Sequence, residues 1–236
     1  MTVESRSDDA DNFVGIRGAE MEVFRDMIIQ GDNSEQLAKL MDEVERSLPP
    51  GWRRDKSAIR LSSYFFGWDI VYGFEHAQED SLPSASIYLA EKEVGRLNVS
   101  NIHPHTKRQL SYDEYNSILE CFCNIVRPCA EKLGMGVELT PCHADLSDWL
   151  SHTTVEKLKS FSKEASRYTG AARPLDRERW LDFIVTAHRE GSQLDATMLR
   201  RWLIEIGDWD PEIADRLAGE YAFGGRLLSF TERVGA

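Results

Sequence analysis

The sequence predicts an α+β fold, in which N-terminal helices and a small antiparallel sheet with a packed helix precede a C-terminal α-helical bundle. Three observations predict this class. Apolar residues recur at helical spacing near the N-terminus, aromatic and β-branched residues dominate short segments in the middle, and the last third returns to helical spacing. The expected division is a mobile acidic tail over residues 1–12, an α+β domain over 13–145 and a helical domain over 146–236.

The N-terminal region predicts two helices. Phe13–Ile29 carries apolar residues at helical spacing toward its end. In Ser34–Leu48 the apolar residues recur three and four positions apart, so they form one buried stripe. Asn33 is the expected N-cap, and Pro49-Pro50-Gly51 ends the helix.

The middle of the chain predicts an antiparallel sheet and a long helix. Strands are expected at Trp68–His76, Ser84–Leu89 and Val94–Ile102, with a further short strand at Val137–Thr140. The sequence Ser111-Tyr112-Asp113-Glu114 is a capping-box pattern that opens a strongly amphipathic helix. Pro128 lacks a backbone donor, so we expect this helix to kink or end near Arg127.

The last third predicts only helices. One helix is expected from Thr153 to about Arg167, and a second over Asp176–Arg189. Asp195 and Asp210 are the expected N-caps of two more helices. The last of these is expected to fray near Gly224-Gly225.

The charge of the chain limits its partners. The formal net charge is -12, and residues 1–50 hold 12 acidic and 5 basic side chains. Acidity of this size opposes nucleic acid binding, which depends on Lys and Arg. It serves either solubility or an acidic face that docks on a basic partner. The sequence has no membrane-length apolar run, secretion signal or cysteine framework, so we expect a cytoplasmic protein with reduced thiols.

No cofactor or metal site is predicted. The common nucleotide-binding, metalloprotease and serine-hydrolase motifs are absent from the sequence. Cys121, Cys123, Cys129, Cys142 and His143 could suggest zinc, but Cys121 and Cys123 lie about 200° apart around one helix. We therefore expect core cysteines, and a loop at Cys142–Asp145 rather than a nucleophile with its base.

The best catalytic candidates follow a predicted strand. His103 and His105 could perform acid–base chemistry, while Lys107 and Arg108 could hold a phosphate. The alternative is a solvated basic loop that leads into the Ser111 cap.

A second candidate surface is aromatic. Trp52, Tyr64, Phe65 and Trp68 lie close together in the sequence, and consecutive aromatic residues cannot all face one side of a strand. These side chains are therefore either core residues covered by helices or anchors for a partner.

The segments Phe161–Ser166, Pro174–Trp180 and Leu199–Ile206 resemble a family of uncharacterised bacterial proteins, and the resemblance extends over Val99–Phe122. It implies a bacterial protein and transfers no activity.

The leading hypothesis is a non-enzymatic interaction or regulatory protein, such as an antitoxin or immunity-type subunit that binds a basic protein. One alternative is a phosphate-handling enzyme, a phosphodiesterase or nucleotide-processing protein centred on His103 and His105. The other is DNA binding by the C-terminal helices, where Arg200 and Arg201 are adjacent but acidic residues follow.

Overall fold

The computed structural model describes residues 20–56, 71–77 and 82–235. The chain divides into two compact units, one spanning Glu22–Cys142 and the other formed by residues 143–235 with Met21. Each unit has its own hydrophobic core. Among the described residues, no helix has the length and apolar run that crossing a membrane requires.

The unit Glu22–Cys142 is built on a six-stranded sheet. Its strands follow the order β3-β4-β5-β6-β2-β7, and every neighbouring pair is antiparallel. They are β2 (Met27–Gln30), β3 (Trp52–Asp55), β4 (Val71–His76), β5 (Ala85–Glu93), β6 (Arg96–Pro104) and β7 (Gly136–Leu139). The predicted antiparallel sheet is therefore confirmed. The expected acidic tail lies outside the described residues.

Two helices pack against one face of this sheet. They are α1 (Ser34–Ser47) and α2 (Tyr112–Lys132), and their buried residues share a core with alternate residues of the strands. Phe74 and Ile87 face this core from paired positions on β4 and β5. Glu75 and Ser86, the next pair along, point to the opposite face because side chains alternate on a strand.

The predicted helix caps of this unit are present. Asn33 accepts a hydrogen bond from the amide of Gln36, and Ser111 forms a full capping box with Glu114. Of the two outcomes expected near Arg127, the end of α2 is wrong, because the helix continues through Pro128 to Lys132, and the kink stays a prediction. Cys129 and Ala130 lie in the core just beyond the proline, so packing outweighs the missing backbone hydrogen bond.

The helix expected over Phe13–Ile29 is wrong where the structure describes it. Residues 20–30 form β1 (Met21–Glu22) and β2, which lies between β6 and β7. Met27 and Ile29 are fully buried while Ile28 between them is not, so the burial follows a strand period. Pairing with two neighbouring strands satisfies the β2 backbone on both sides and overrides the helical spacing.

The second unit is helical. It contains β8 (His143–Ala144), which pairs with β1, a 3₁₀ turn at Leu146–Asp148 and four helices. The helices are α3 (His152–Glu164), α4 (Pro174–Arg189), α5 (Ala196–Glu205) and α6 (Pro211–Gly235). Side chains from all four helices contribute to one core, in which Trp180 and Trp202 are buried.

Two details of this unit differ from expectation. The first helix is capped by Ser151 rather than starting at Thr153. The last helix does not fray near Gly224-Gly225 but runs on to Gly235. Gly224 packs so closely on α4 that an added Cβ would lie 2.7 Å from Cγ2 of Ile184. This helix-to-helix contact supports a helix that its two glycines alone would weaken.

Candidate functional site

The two candidate histidines lie at the end of β6. His103 is exposed and pairs across the sheet with Ser86 of β5. His105 follows the strand, and its amide donates to the Ser84 carbonyl over 3.0 Å. Because side chains alternate along an extended chain, His103 and His105 are on the same face of the sheet, away from the helices.

Two serines hold the His105 ring. The Oγ of Ser84 lies 2.5 Å from Nδ1, and the Oγ of Ser86 lies 2.8 Å from Nε2. A serine hydroxyl can either donate to an imidazole nitrogen or accept from it. Both ring nitrogens are thus engaged by hydroxyl groups. No carboxylate is hydrogen-bonded to this ring in the described part of the chain.

His105 also lines a cleft of about 540 Å³ at this end of the sheet. Arg53 and Glu75 form an ion pair at the cleft, and Ser84 contributes its hydroxyl. His76 is almost fully buried there, with its ring centroid 4.8 Å from that of Trp52. The lining of the cleft therefore combines charged and polar side chains with the aromatic ring of Trp52.

The two cations predicted to hold a phosphate have different surroundings. Lys107 is exposed. Arg108 donates two hydrogen bonds to the carboxylate of Glu114, over 2.9 and 2.6 Å. The Arg108 guanidinium, together with the Ser111 backbone amide, lowers the pKa of Glu114 to about 2. The charge of Arg108 is thus compensated by a carboxylate in the first turn of α2.

The aromatic candidates are only partly described. Trp52 is 8% exposed and packs in the core, where its ring stacks on Phe122 with centroids 5.4 Å apart. Tyr64, Phe65 and Trp68 lie outside the described residues.

The cysteines are dispersed through the packing of the first unit. Cys123 and Cys129 are buried, and burial raises the pKa of the Cys121 and Cys123 thiols. The Sγ of Cys129 donates to the Ile125 carbonyl of its own helix. Over residues 20–56, 71–77 and 82–235, no group of histidine, cysteine and carboxylate side chains could hold a metal ion.

The acidic side chains of α1 are paired. Glu35 contacts Lys39, Asp42 contacts Arg54, and Glu45 contacts both Arg54 and Lys56. Glu43 contacts Arg46 and Lys132. This part of the acidic N-terminal region is therefore largely neutralised by the chain itself.

A surface that the sequence interpretation missed lies on α6. Phe223, Leu227, Phe230 and Val234 are exposed by 62%, 49%, 55% and 70%. At about 100° per residue these four side chains fall within about 60° of arc, and we call them the α6 stripe. Glu232, which contacts His188 of α4, lies on the other side of the helix. Gly224, which contacts Ile184 of α4, lies at the edge between the two sides.

The stripe was missed because α6 was expected to fray near Gly224-Gly225. Its signal is present in the sequence as an apolar spacing of four, three and four residues. The serines beside His105 were missed for another reason. Ser84 and Ser86 are about 20 positions from His105, and only strand pairing brings them together.

Comparison with protein-family models, curated proteins and solved structures gave no match to this chain.

Proposed function

We propose that this protein binds another protein, and that the α6 stripe docks on an amphipathic helix of that partner. The observation that carries the proposal is the exposure of four large apolar side chains on one face of α6, opposite its packing face. Contiguous apolar patches of a few hundred Å² on a protein surface are often functional.

The spacing of the stripe supports a helical partner. Intervals of four, three and four residues match the a and d positions of a heptad repeat, whose knobs insert between the side chains of a facing helix. An apolar helix face also recognises partners by placing such anchors in a groove.

The size of the stripe indicates a weak or transient complex. A fully exposed aromatic side chain presents about 150–250 Å², so the four side chains expose about 400 Å² together. With a similar contribution from the partner, the buried area stays below about 1,000 Å², which is typical of transient contacts.

The other function classes have less support. Phosphate handling at His103 and His105 would use Arg108, whose charge Glu114 already compensates. DNA binding would use Arg200 and Arg201, which pair with Asp215 and Glu205. The net charge favours a basic partner, as an antitoxin or immunity-type role would require, but the acidic residues of α1 are paired within the chain.

The proposal is tested with a labelled model peptide of about two heptads, with leucine at a and d and glutamine at the flanking positions. We expect fluorescence anisotropy to give micromolar binding to the full chain. The double variant Leu227→Ser/Phe230→Ser should weaken binding at least tenfold, because it removes the centre of the stripe.

The control is Leu175→Ser/Leu181→Ser, which removes two exposed leucines of α4 that are not part of the stripe. This variant should bind the peptide as the wild type does. If the peptide does not bind, or if both double variants bind equally, the α6 stripe is not a docking surface.

A further inference from the structure

We propose that the helix docking on the α6 stripe is acidic along its flanks, and that it belongs to another protein rather than to a second copy of this chain. This inference rests on the proposed function, because it names the chemistry of the partner for the same surface. The inference is based on two arginines, Arg226 and Arg233, that border the stripe.

The heptad register places both arginines on one flank. With Leu227 and Val234 at a, and with Phe223 and Phe230 at d, Arg226 and Arg233 each occupy a g position. The e positions on the other flank are Gly224, which packs on Ile184 of α4, and Thr231, and neither carries a charge. The stripe therefore has one basic flank and one neutral flank.

Neither arginine is compensated by a carboxylate of the described chain. The Nε of Arg226 donates to the Ala222 carbonyl over 3.3 Å, and the Nε of Arg233 donates to the Ser229 carbonyl over 3.4 Å. Both acceptors belong to α6 itself. Other arginines of this unit do pair with carboxylates: Arg167, Arg177, Arg179, Arg200 and Arg201.

Glu232, the acidic residue nearest to Arg233 in the sequence, does not compensate the charge of either arginine. Glu232 adjoins Arg233 but lies on the packing side of α6, where its Oε1 is 3.0 Å from the Nε2 of His188. Two guanidinium groups, seven residues apart, thus remain beside the exposed apolar seam. A facing helix with carboxylates on its flank would complement both charge and shape.

A second copy of the chain fits this surface poorly. In an antiparallel pair of α6 helices the g positions face each other, so arginine would meet arginine. In a parallel pair each g position faces an e position, so Arg226 and Arg233 would meet Gly224 or Thr231 and gain no charge partner. Both orientations leave the basic flank uncompensated, whereas an acidic helix compensates it in either orientation.

The test uses three peptides that share one leucine seam and carry glutamate, glutamine or lysine at all e and g positions. At about 0.1 M salt, acidic groups of the chain more than about 10 Å from the stripe are largely screened. Under this condition we expect the glutamate peptide to bind about tenfold more tightly than the lysine peptide. The difference should shrink in 0.5 M salt because screening weakens exposed ion pairs.

A charge reversal makes the test specific. The variant Arg226→Glu/Arg233→Glu should prefer the lysine peptide. The control Arg127→Glu/Arg173→Glu makes the same change in net charge at residues that belong neither to the stripe nor to its flanks, and it should keep the wild-type preference. Circular dichroism and denaturant unfolding of both variants establish that the fold is retained.

The outcomes separate the two proposals. If the three peptides bind equally and Leu227→Ser/Phe230→Ser still abolishes binding, the acidic partner is wrong and the docking surface stands. If no peptide binds, both proposals fail. Sedimentation could instead show a dimer that Leu227→Ser/Phe230→Ser dissociates, and the occupant would then be a second copy of the chain. Binding to anionic vesicles but to no peptide would make the occupant a membrane surface. Either result would overturn the acidic helix.

Discussion

Gly224 and Gly225 are neighbours in α6 with different surroundings. A Cβ on Gly224 would lie 2.7 Å from Cγ2 of Ile184, which is too close for a carbon–carbon contact. A Cβ on Gly225 would meet no heavy atom within 4 Å. Because Cγ2 is attached directly to the Cβ of isoleucine, it cannot turn away as the end of a long side chain can.

We predict opposite effects for alanine at these two positions. Gly224→Ala should lower the free energy of unfolding by about 1–3 kcal/mol, because it overpacks the contact between α4 and α6. Gly225→Ala should raise it by about 0.5–1 kcal/mol, because alanine favours the helix. Denaturant unfolding measures both, and a gain for Gly224→Ala would mean that the two helices are not packed as described.

The catalytic role of His105 stays a prediction, and the sequence did not reveal the two groups that contact its ring. The sequence marks an imidazole near basic residues, since these lie within a few positions of one another. It does not mark Ser84 and Ser86, because their contact with the ring depends on how β5 and β6 pair.

At the scale of elements, the start of α2 shows how local signals act. Ser111 and Glu114 accept hydrogen bonds from each other's backbone amides, and Arg108 pairs with the same glutamate. These contacts join residues at most six positions apart, so the sequence alone indicates the cap. The continuation of α2 through Pro128 depends instead on the burial of Cys129 and Ala130, which the local sequence does not show.

This cap predicts a pH dependence. The pKa of Glu114 is lowered from 4.5 to about 2, first by the hydrogen bond from Arg108. A carboxyl whose pKa is lowered by folding stabilises the fold above its unfolded pKa, and this contribution is lost as the pH falls through the folded pKa. Stability from Glu114 should therefore disappear between about pH 4.5 and pH 2.

The variant Glu114→Gln should be less stable than the wild type at pH 7, and the difference should narrow between pH 4.5 and pH 2. Urea unfolding across this range measures the difference. Glu131→Gln, which removes a charge near the other end of the same helix, serves as the control. A constant difference between wild type and Glu114→Gln at all pH values would contradict the role given to its ionised form.

At the scale of the whole molecule, the chain has two cores. Leu89 is fully buried in the core of the sheet unit, and Leu203 is fully buried in the core of the helical unit. Each core is built from residues of its own unit. Truncation of a buried leucine in one core therefore removes packing contacts only within that unit.

We predict that Leu89→Ala and Leu203→Ala each act mainly within their own unit. Each change should remove about 2–5 kcal/mol from the stability of the unit it affects. Hydrogen exchange should show faster exchange in β4–β6 for the first variant and in α3–α6 for the second. Equal loss of protection across the whole chain for either variant would show that the two units unfold as one.

Elements whose signals are local could be predicted from the amino-acid sequence. Ser111, Asp195 and Asp210 cap helices because each side chain bonds an amide two or three residues ahead. The strands β4–β6 are likewise indicated by aromatic, β-branched and other apolar residues within each short segment. Tertiary structure alone decided that Met27–Gln30 is a strand, that two serines hold His105, and that one side of α6 stays exposed. The physical reason is that these features depend on what packs against a segment, and those neighbours are distant in the chain.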